Sequence, residues 1–263
     1  MTTDRLRGSG HPAGRVATIG SEPVDFCRRL VTFTLGLGLC GALAGCVMMD
    51  SPGSGRAAEP PAYRVGDRWV YRAQDGWFRL FTNWEETHTI SAVNADGITE
   101  RVTLKGPTLD VARSELWPAP GKVKIGALYE HETRLFATLL DRYRFPLAPG
   151  ASWSQFVNNV DESTRTGGQI NYYVRAQGWE TVSTPAGTFD AIVLHVVIWL
   201  DDETFWRFPT LCIYTIWYSP AVRGVVRELK RASYQEKGGD FDNAARIPTQ
   251  NTVIELLSFT PGA

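Results

Sequence analysis

Phe189-Asp-Ala-Ile-Val-Leu-His-Val-Val-Ile-Trp-Leu200 decides the fold class. In an extended chain successive side chains face opposite ways, so Ile192, Leu194, Val196 and Ile198 share one face while Val193, His195, Val197 and Trp199 share the other. Both faces are largely apolar. Such a strand either lies between two layers or lines a cavity while its back meets solvent or lipid. A second run repeats the pattern, with Cys212, Tyr214, Ile216 and Tyr218 set against Ile213, Thr215 and Trp217.

Outward from these runs, period-two patterns and β-branched or aromatic stretches predict strands over 68–72, 78–93, 98–105, 122–129, 152–157, 170–182, 189–200, 205–217, 225–234 and 252–259. Almost nothing reads as helix. Asn94-Ala-Asp-Gly97 signals a hairpin, and Pro185-Ala-Gly187 between Thr184 and Thr188 signals another, with Gly187 expected at a positive φ. Gly66-x-x-Trp69 followed by Tyr71 has a counterpart in Gly150-x-x-Trp153 followed by Phe156, and each copy precedes one of these hairpins. The reading is an all-β, predominantly antiparallel domain, a strongly curved sheet or open barrel built from two related halves. A formal charge of −1 carries no basic excess, so no nucleic-acid partner is expected.

The first 45 residues read differently. Arg28-Arg29 precede an uncharged run, Leu30 to Ala44, that ends in small residues as a secretory signal does. Fifteen residues would cover about 22 Å as helix, short of a hydrocarbon core about 30 Å thick. Extended through Met49 the run reaches twenty residues, enough to span if it is not cleaved. Leu43-Ala44-Gly45-Cys46 resembles the bacterial lipobox, which implies cleavage before Cys46 and acylation of its thiol. Cys40 suits that site less, because bulky Leu39 precedes it. By the sorting rule attached to the resemblance, Val47 in place of Asp implies an outer-membrane, periplasm-facing lipoprotein. The expected organisation is a signal peptide over 1–45, with 1–24 as a leader upstream of a later start, a lipidated flexible tether over 46–61, and a periplasmic β domain over 62–263. Cys212 is then the single thiol left, set among apolar residues as a small core side chain.

Two stretches resemble a known group. Trp179-Glu-Thr-Val-Ser-Thr-Pro-Ala-Gly-Thr-Phe-Asp-Ala191 and Trp217-Tyr-Ser-Pro-Ala-Val-Arg-Gly-Val-Val226 are similar to motifs of uncharacterised periplasmic and lipoprotein families, the TapB-like group among them. The shared positions are Glu180, Pro185, Gly187, Phe189, Asp190, Trp217, Tyr218, Pro220 and Gly224, and Arg223 is one residue extra to the second motif. The resemblance implies an antiparallel envelope domain and supplies no catalytic residue. The residues themselves read as turn and strand-end positions: Pro185 to Gly187 make the turn, Pro220 ends a strand and Gly224 reverses the chain.

Catalytic signatures such as G-x-S-x-G, H-E-x-x-H or a phosphate loop do not occur. His88 after Glu85-Glu86 and His131 beside Glu130 and Glu132 are read as solvated polar sites, and His195 as a core or cavity-lining residue. Asp201-Asp202-Glu203 is read as a solvated turn, and Arg142, Arg144 and the run Arg227-Glu-Leu-Lys-Arg231 as exposed basic positions. No catalytic residue, cofactor or metal site is assigned. The expected role is non-enzymatic: binding of a lipid-like or apolar ligand, or of a hydrophobic partner segment, by a concave face carrying Trp199, Trp206, Tyr214 and Trp217. The alternative is a structural or assembly subunit of an envelope complex that joins through a sheet edge or an aromatic patch.

Overall fold

The computed structural model describes residues 55–76, 82–129, 131–202, 204–238 and 246–263, all within the compact unit Met48–Ala263. Leu43, Ala44, Gly45 and Cys46, with the rest of the expected signal peptide, lie outside the described residues.

Twelve strands follow one another: β1 (Arg68–Asp75), β2 (Thr82–Asn94), β3 (Gly97–Gly106), β4 (Leu109–Trp117), β5 (Lys122–Ala127), β6 (Thr133–Asp141), β7 (Ser152–Asp161), β8 (Gly167–Thr184), β9 (Gly187–Asp201), β10 (Thr210–Ser219), β11 (Gly224–Tyr234) and β12 (Ile247–Thr260). Each pairs antiparallel with its sequence neighbour, and β12 returns to pair with β1. The sheet is therefore a closed up-and-down barrel, where an open barrel or curved sheet was expected. The physical reason lies in β4 and β6, two strands absent from the ten expected, which bridge β3 to β7 and allow the ring to shut. Closure leaves no free edge among the described strands.

Two joints are thin. β4 and β5 pair at Leu116 and Ile125 alone, and β6 meets β7 at three positions. At the first joint a side chain does the work of the missing ladder, because the Ala127 N–H donates to the buried Glu115 carboxylate at 3.1 Å.

The two expected halves share a local construction. The Gly66 N–H donates to the Ile90 carbonyl and the Ile90 N–H donates back to Asp67; Gly150 and Ala151 make the same exchange with Ala176, all at 2.8–2.9 Å. Trp69 and Trp153 are buried, and their indoles donate to the carbonyls of Val222 and Asp141. A register shift follows in each copy, after Ile90 and after Ala176.

The apolar interior follows the alternation of β9. Ile192, Leu194, Val196, Ile198 and Leu200 are buried; on the opposite face Val193 is also covered, His195 and Val197 are half-buried and Trp199 is exposed. His195 thus belongs to the outer face rather than to the core. The long β8–β9 hairpin packs on β12 at one end, where the Ala186 N–H donates to the Leu256 carbonyl. Val182, Ala186, Phe189 and Ala191 join Trp69, Val226 and Leu256 in one apolar cluster there.

Residues expected to end the tether instead lie on the barrel. Ala58 forms a two-hydrogen-bond bridge with Leu147, and the Trp179 indole donates to the Arg56 carbonyl at 2.8 Å. Asp67, fully buried, ties the segment before β1 to the segment after β12: its carboxylate accepts from Arg64 N–H and Gly262 N–H and pairs with Arg223.

Candidate functional site: the barrel interior

The barrel interior holds a partly open cavity of about 160 Å³ lined from nearly every strand. Its walls combine aromatic rings, notably Tyr63, Trp69, Tyr71, Trp117, Tyr143 and Tyr218, with ionisable side chains. A second space of about 260 Å³ shares Glu86, Lys230 and Ile254 with it and reaches the β3–β4 turn at Thr108 and Leu109. The far end of the barrel is the one packed by the β8–β9 hairpin.

Strand alternation builds the charged part. Glu86 and His88 are two apart on β2 and so face the same way. The His88 imidazole bonds Glu86 through Nε2 at 3.3 Å and Glu100, on β3, through Nδ1 at 3.2 Å. Burial alone would lower the His88 pKa, but the charge and hydrogen bond of Glu100, then those of Glu86, raise it to about 9. Burial alone would raise Glu86; the hydrogen bond and charge of His88, with Lys230 and the Trp84 indole, hold it at about 2. An imidazolium is therefore clamped between two carboxylates at neutral pH.

Glu100 and Glu115 occupy paired positions on β3 and β4, and Glu115 continues the network. Its carboxylate accepts from Arg113 Nε at 3.0 Å and from both terminal nitrogens of Arg142 at 3.3–3.4 Å. Burial opposes ionisation here, yet Arg142, Arg113 and the Ala127 N–H together hold Glu115 at about 2. Arg142 also donates to the Ala127 carbonyl at 2.8 Å and lies 5.9 Å from the Trp117 ring centre. Glu228 and Lys230, on β11, form a further pair at 3.8 Å facing the same cavity. Two polar atoms of cavity-lining residues, Arg113 Nη1 and the Tyr218 hydroxyl, are buried without a hydrogen-bond partner.

Several sequence expectations change accordingly. His88 is part of a buried ion network, not a solvated site, and Arg142 and Lys230 face the interior. Of the four residues expected to line a ligand face, only Tyr214 lines the cavity, where its hydroxyl bonds the Leu128 carbonyl and Gln250. Trp199 and Trp206 are exposed on the outside, each beside an arginine. Trp217 also lies outside the cavity; its indole donates to Glu180 at 2.8 Å and the Arg227 guanidinium lies over its ring. Asp202 is no solvated turn residue, since its carboxylate holds the buried Arg134 at 2.7 Å and meets Arg207. Glu203 and Glu130 lie outside the described residues. His131 stands edge-on to Trp84 in the second space.

The motif positions are largely architectural. Pro185 and Ala186 form the two-residue turn between Thr184 and Gly187, whose φ is 135°. Asp190 accepts from the Thr181 hydroxyl, and its carbonyl accepts from Ser219. Pro220 stops β10 and opens a single 3-10 turn, Pro220–Val222. The extra residue Arg223 takes the left-handed conformation that reverses the chain, at φ 55°. Gly224 answers a different need: a Cβ there would stand 3.0 Å from the Trp69 indole nitrogen. Tyr218 and Gly224 both line the cavity, a role the motif reading had not given them. Cys212 is fully buried and its thiol is pushed up to about 12 by burial, in keeping with a core side chain.

No family model and no curated protein matches the chain. The similarity to the TapB-like group therefore stands on the quoted motifs alone. Two solved structures are similar at low identity. One, provisionally described as an exported protein with a YmcC-like fold from Bacteroides fragilis, is 12% identical with a TM-score of 0.48; the match covers 78% of this chain and 100% of that one. The other, provisionally described as a lipoprotein from Parabacteroides distasonis, is 14% identical with a TM-score of 0.46, over 78% of this chain and 100% of that one.

Proposed function

We propose that this chain is a cell-envelope lipoprotein, anchored at the periplasmic face of the outer membrane through Cys46, that binds a small molecule inside its barrel without transforming it. The lipobox-like Leu43-Ala44-Gly45-Cys46 and the signal before it support the address. The observation that carries the binding role is the internal cavity of about 160 Å³, whose walls hold paired charges and two unpartnered polar atoms. Buried ion networks are weak stabilisers compared with apolar packing, so their placement around a cavity favours recognition over stability. The wall also argues against a purely apolar ligand, which would desolvate these groups and return nothing.

The same network supports a role without catalysis. A general acid or base works best when its pKa lies near the operating pH. Glu86 and Glu115 are held at about 2 and His88 at about 9, so all three keep fixed charge at neutral pH.

The test uses the full-length chain purified from membranes in detergent. Metabolic labelling with an alkyne fatty acid should mark the wild type and miss Cys46→Ser. Combined aqueous and organic extraction of the same preparation should release a small molecule at near-equimolar amount. Unlabelled wild type would remove the anchor, and an empty extract would remove the binding role. The assembly-subunit reading draws on one feature, the exposed outer-face residues Phe156, Tyr173, Trp199 and Ile213 on adjoining strands β7 to β10. An empty extract with a stoichiometric protein partner would select it.

A further inference from the structure

We infer that the barrel cavity takes one neutral, polyhydroxylated six-membered ring, a monosaccharide or the terminal sugar of a glycan. This rests on the interior-binding reading above and names the class of its ligand.

Size sets the first limit. A cavity of about 150 Å³ accepts a benzene ring; the volume here, about 160 Å³, is of the size of one six-membered ring, and the adjoining space of about 260 Å³ leaves room for what the ring carries.

Charge sets the second. Glu86, Glu100, Glu115 and Glu228 face the cavity together with His88, Arg113, Arg142, Arg223 and Lys230, four acidic groups to five basic ones. Arg223 is held by Asp67 at 3.3 Å, and the other eight are already engaged with one another, at 3.0–3.8 Å. An ionic or zwitterionic ligand would lose its hydration and then have to break these pairs to find a partner. Hydroxyl groups need no such exchange, because each both donates and accepts. They can donate to the remaining lone pairs of the carboxylates and accept from Arg113 Nη1 and the Tyr218 hydroxyl, the two of the seven unpartnered buried polar atoms among the described residues that belong to residues lining this cavity.

Aromatic geometry sets the third. Tyr63 lies between two tryptophans, its ring centre 5.6 Å from Trp117 and 6.1 Å from Trp69, and all three line the cavity. Aromatic side chains beside hydrogen-bonding groups in one wall suit a ring whose C–H face is apolar and whose rim is polar.

The experiment titrates the full-length protein in detergent, reading tryptophan fluorescence and confirming by calorimetry. The panel holds methyl glycosides of neutral hexoses and N-acetylhexosamines, a uronic acid, an unacetylated hexosamine, a zwitterionic amino acid and a short alkanol. Neutral sugars should bind and the others should not. Tyr218→Phe, which removes one hydroxyl and keeps the ring, should weaken the sugar about fivefold or more without lowering the melting temperature. Preference for a charged or apolar compound, or unchanged sugar affinity in Tyr218→Phe, overturns the inference. If no panel member binds while extraction yields a stoichiometric molecule that is not a sugar, the sugar assignment falls and interior binding stands; if extraction also yields nothing, both fall. Sugar binding is then tested against an oligosaccharide ending in the same ring: equal affinity identifies a glycan terminus, and loss of binding identifies the free sugar, each in support of the class.

Discussion

Replacing His88 with Gln keeps a planar polar side chain between Glu86 and Glu100 but removes the positive charge that stands 3.2–3.3 Å from their carboxylates. In the folded protein the imidazole holds its proton to about 9, against 6.5 ordinarily. Since the folded value lies above the unfolded one, this stabilisation is complete below pH 6.5 and is lost as the pH rises through about 9. The span corresponds to about 3 kcal/mol. The depressed pKa of Glu86 is in part the same attraction seen from the other partner, so the two are not summed. At about 2–4 °C per kcal/mol for a domain of this size, wild type should melt some 6–12 °C above His88→Gln near neutral pH. That gap should shrink steadily as the pH rises from about 6.5 to about 9 and stay small beyond it, where the wild-type imidazole is neutral too. Thermal unfolding of both proteins across this range, followed by circular dichroism, reads the difference directly. A gap that stays constant with pH, or an imidazole that titrates at its ordinary value by NMR, would refute the clamp.

Other outcomes follow from single contacts. Gly97 has φ 123°, and a Cβ there would lie 2.4 Å from the Trp117 carbonyl oxygen, so Gly97→Ala should cost about 3 kcal/mol or more in chemical denaturation. Gly187→Ala, where the added carbon meets nothing closer than 3.9 Å, should cost only the backbone strain, about 1–2 kcal/mol. Tyr214→Phe strips the buried hydroxyl from the Leu128 carbonyl and Gln250 and should destabilise by about 1–3 kcal/mol in the same assay. Asp67→Ala leaves Arg223 without its carboxylate and should cost about 3–5 kcal/mol, with faster amide exchange at Gly262. Cys212 should resist thiol reagents in the folded protein at mildly alkaline pH and react on unfolding, as peptide-resolved labelling will show.

The sequence exposed the barrel where alternation placed apolar residues inward. β8, β9 and β10 follow that rule, and their registers put Tyr172, Ile198 and Tyr214 on one interior face. It concealed the barrel where the inward residues are charged. On β4 the interior set includes Arg113 and Glu115, and on β6 Arg134 stands inward beside Phe136 while the doublets Leu135-Phe136 and Leu139-Leu140 break the alternation, so neither strand was expected and the ring looked open. The site was hidden by the same inversion. Glu86 and His88 stand two apart on an evident strand, and that spacing was the available signal, because it puts both on one face. Their partners Glu100, Glu115 and Arg142 come from separate strands and loops, and nothing local announces the meeting. Tryptophans misled for the opposite reason: Trp199, Trp206 and Trp217 pair with arginines or a carboxylate on the outer surface, where an amphipathic ring is at home.

Ile216 is buried on β10 and lines the cavity, so Ile216→Trp fills the space from an apolar position outside the ion network. Native mass spectrometry of wild type and this variant, prepared identically from membranes, tests interior binding most directly. The wild type should carry one additional small molecule per chain and the variant should fly bare at unchanged fold by circular dichroism. Equal extra mass on both proteins would place the ligand elsewhere, and bare mass on both would contradict a binding role for the barrel interior.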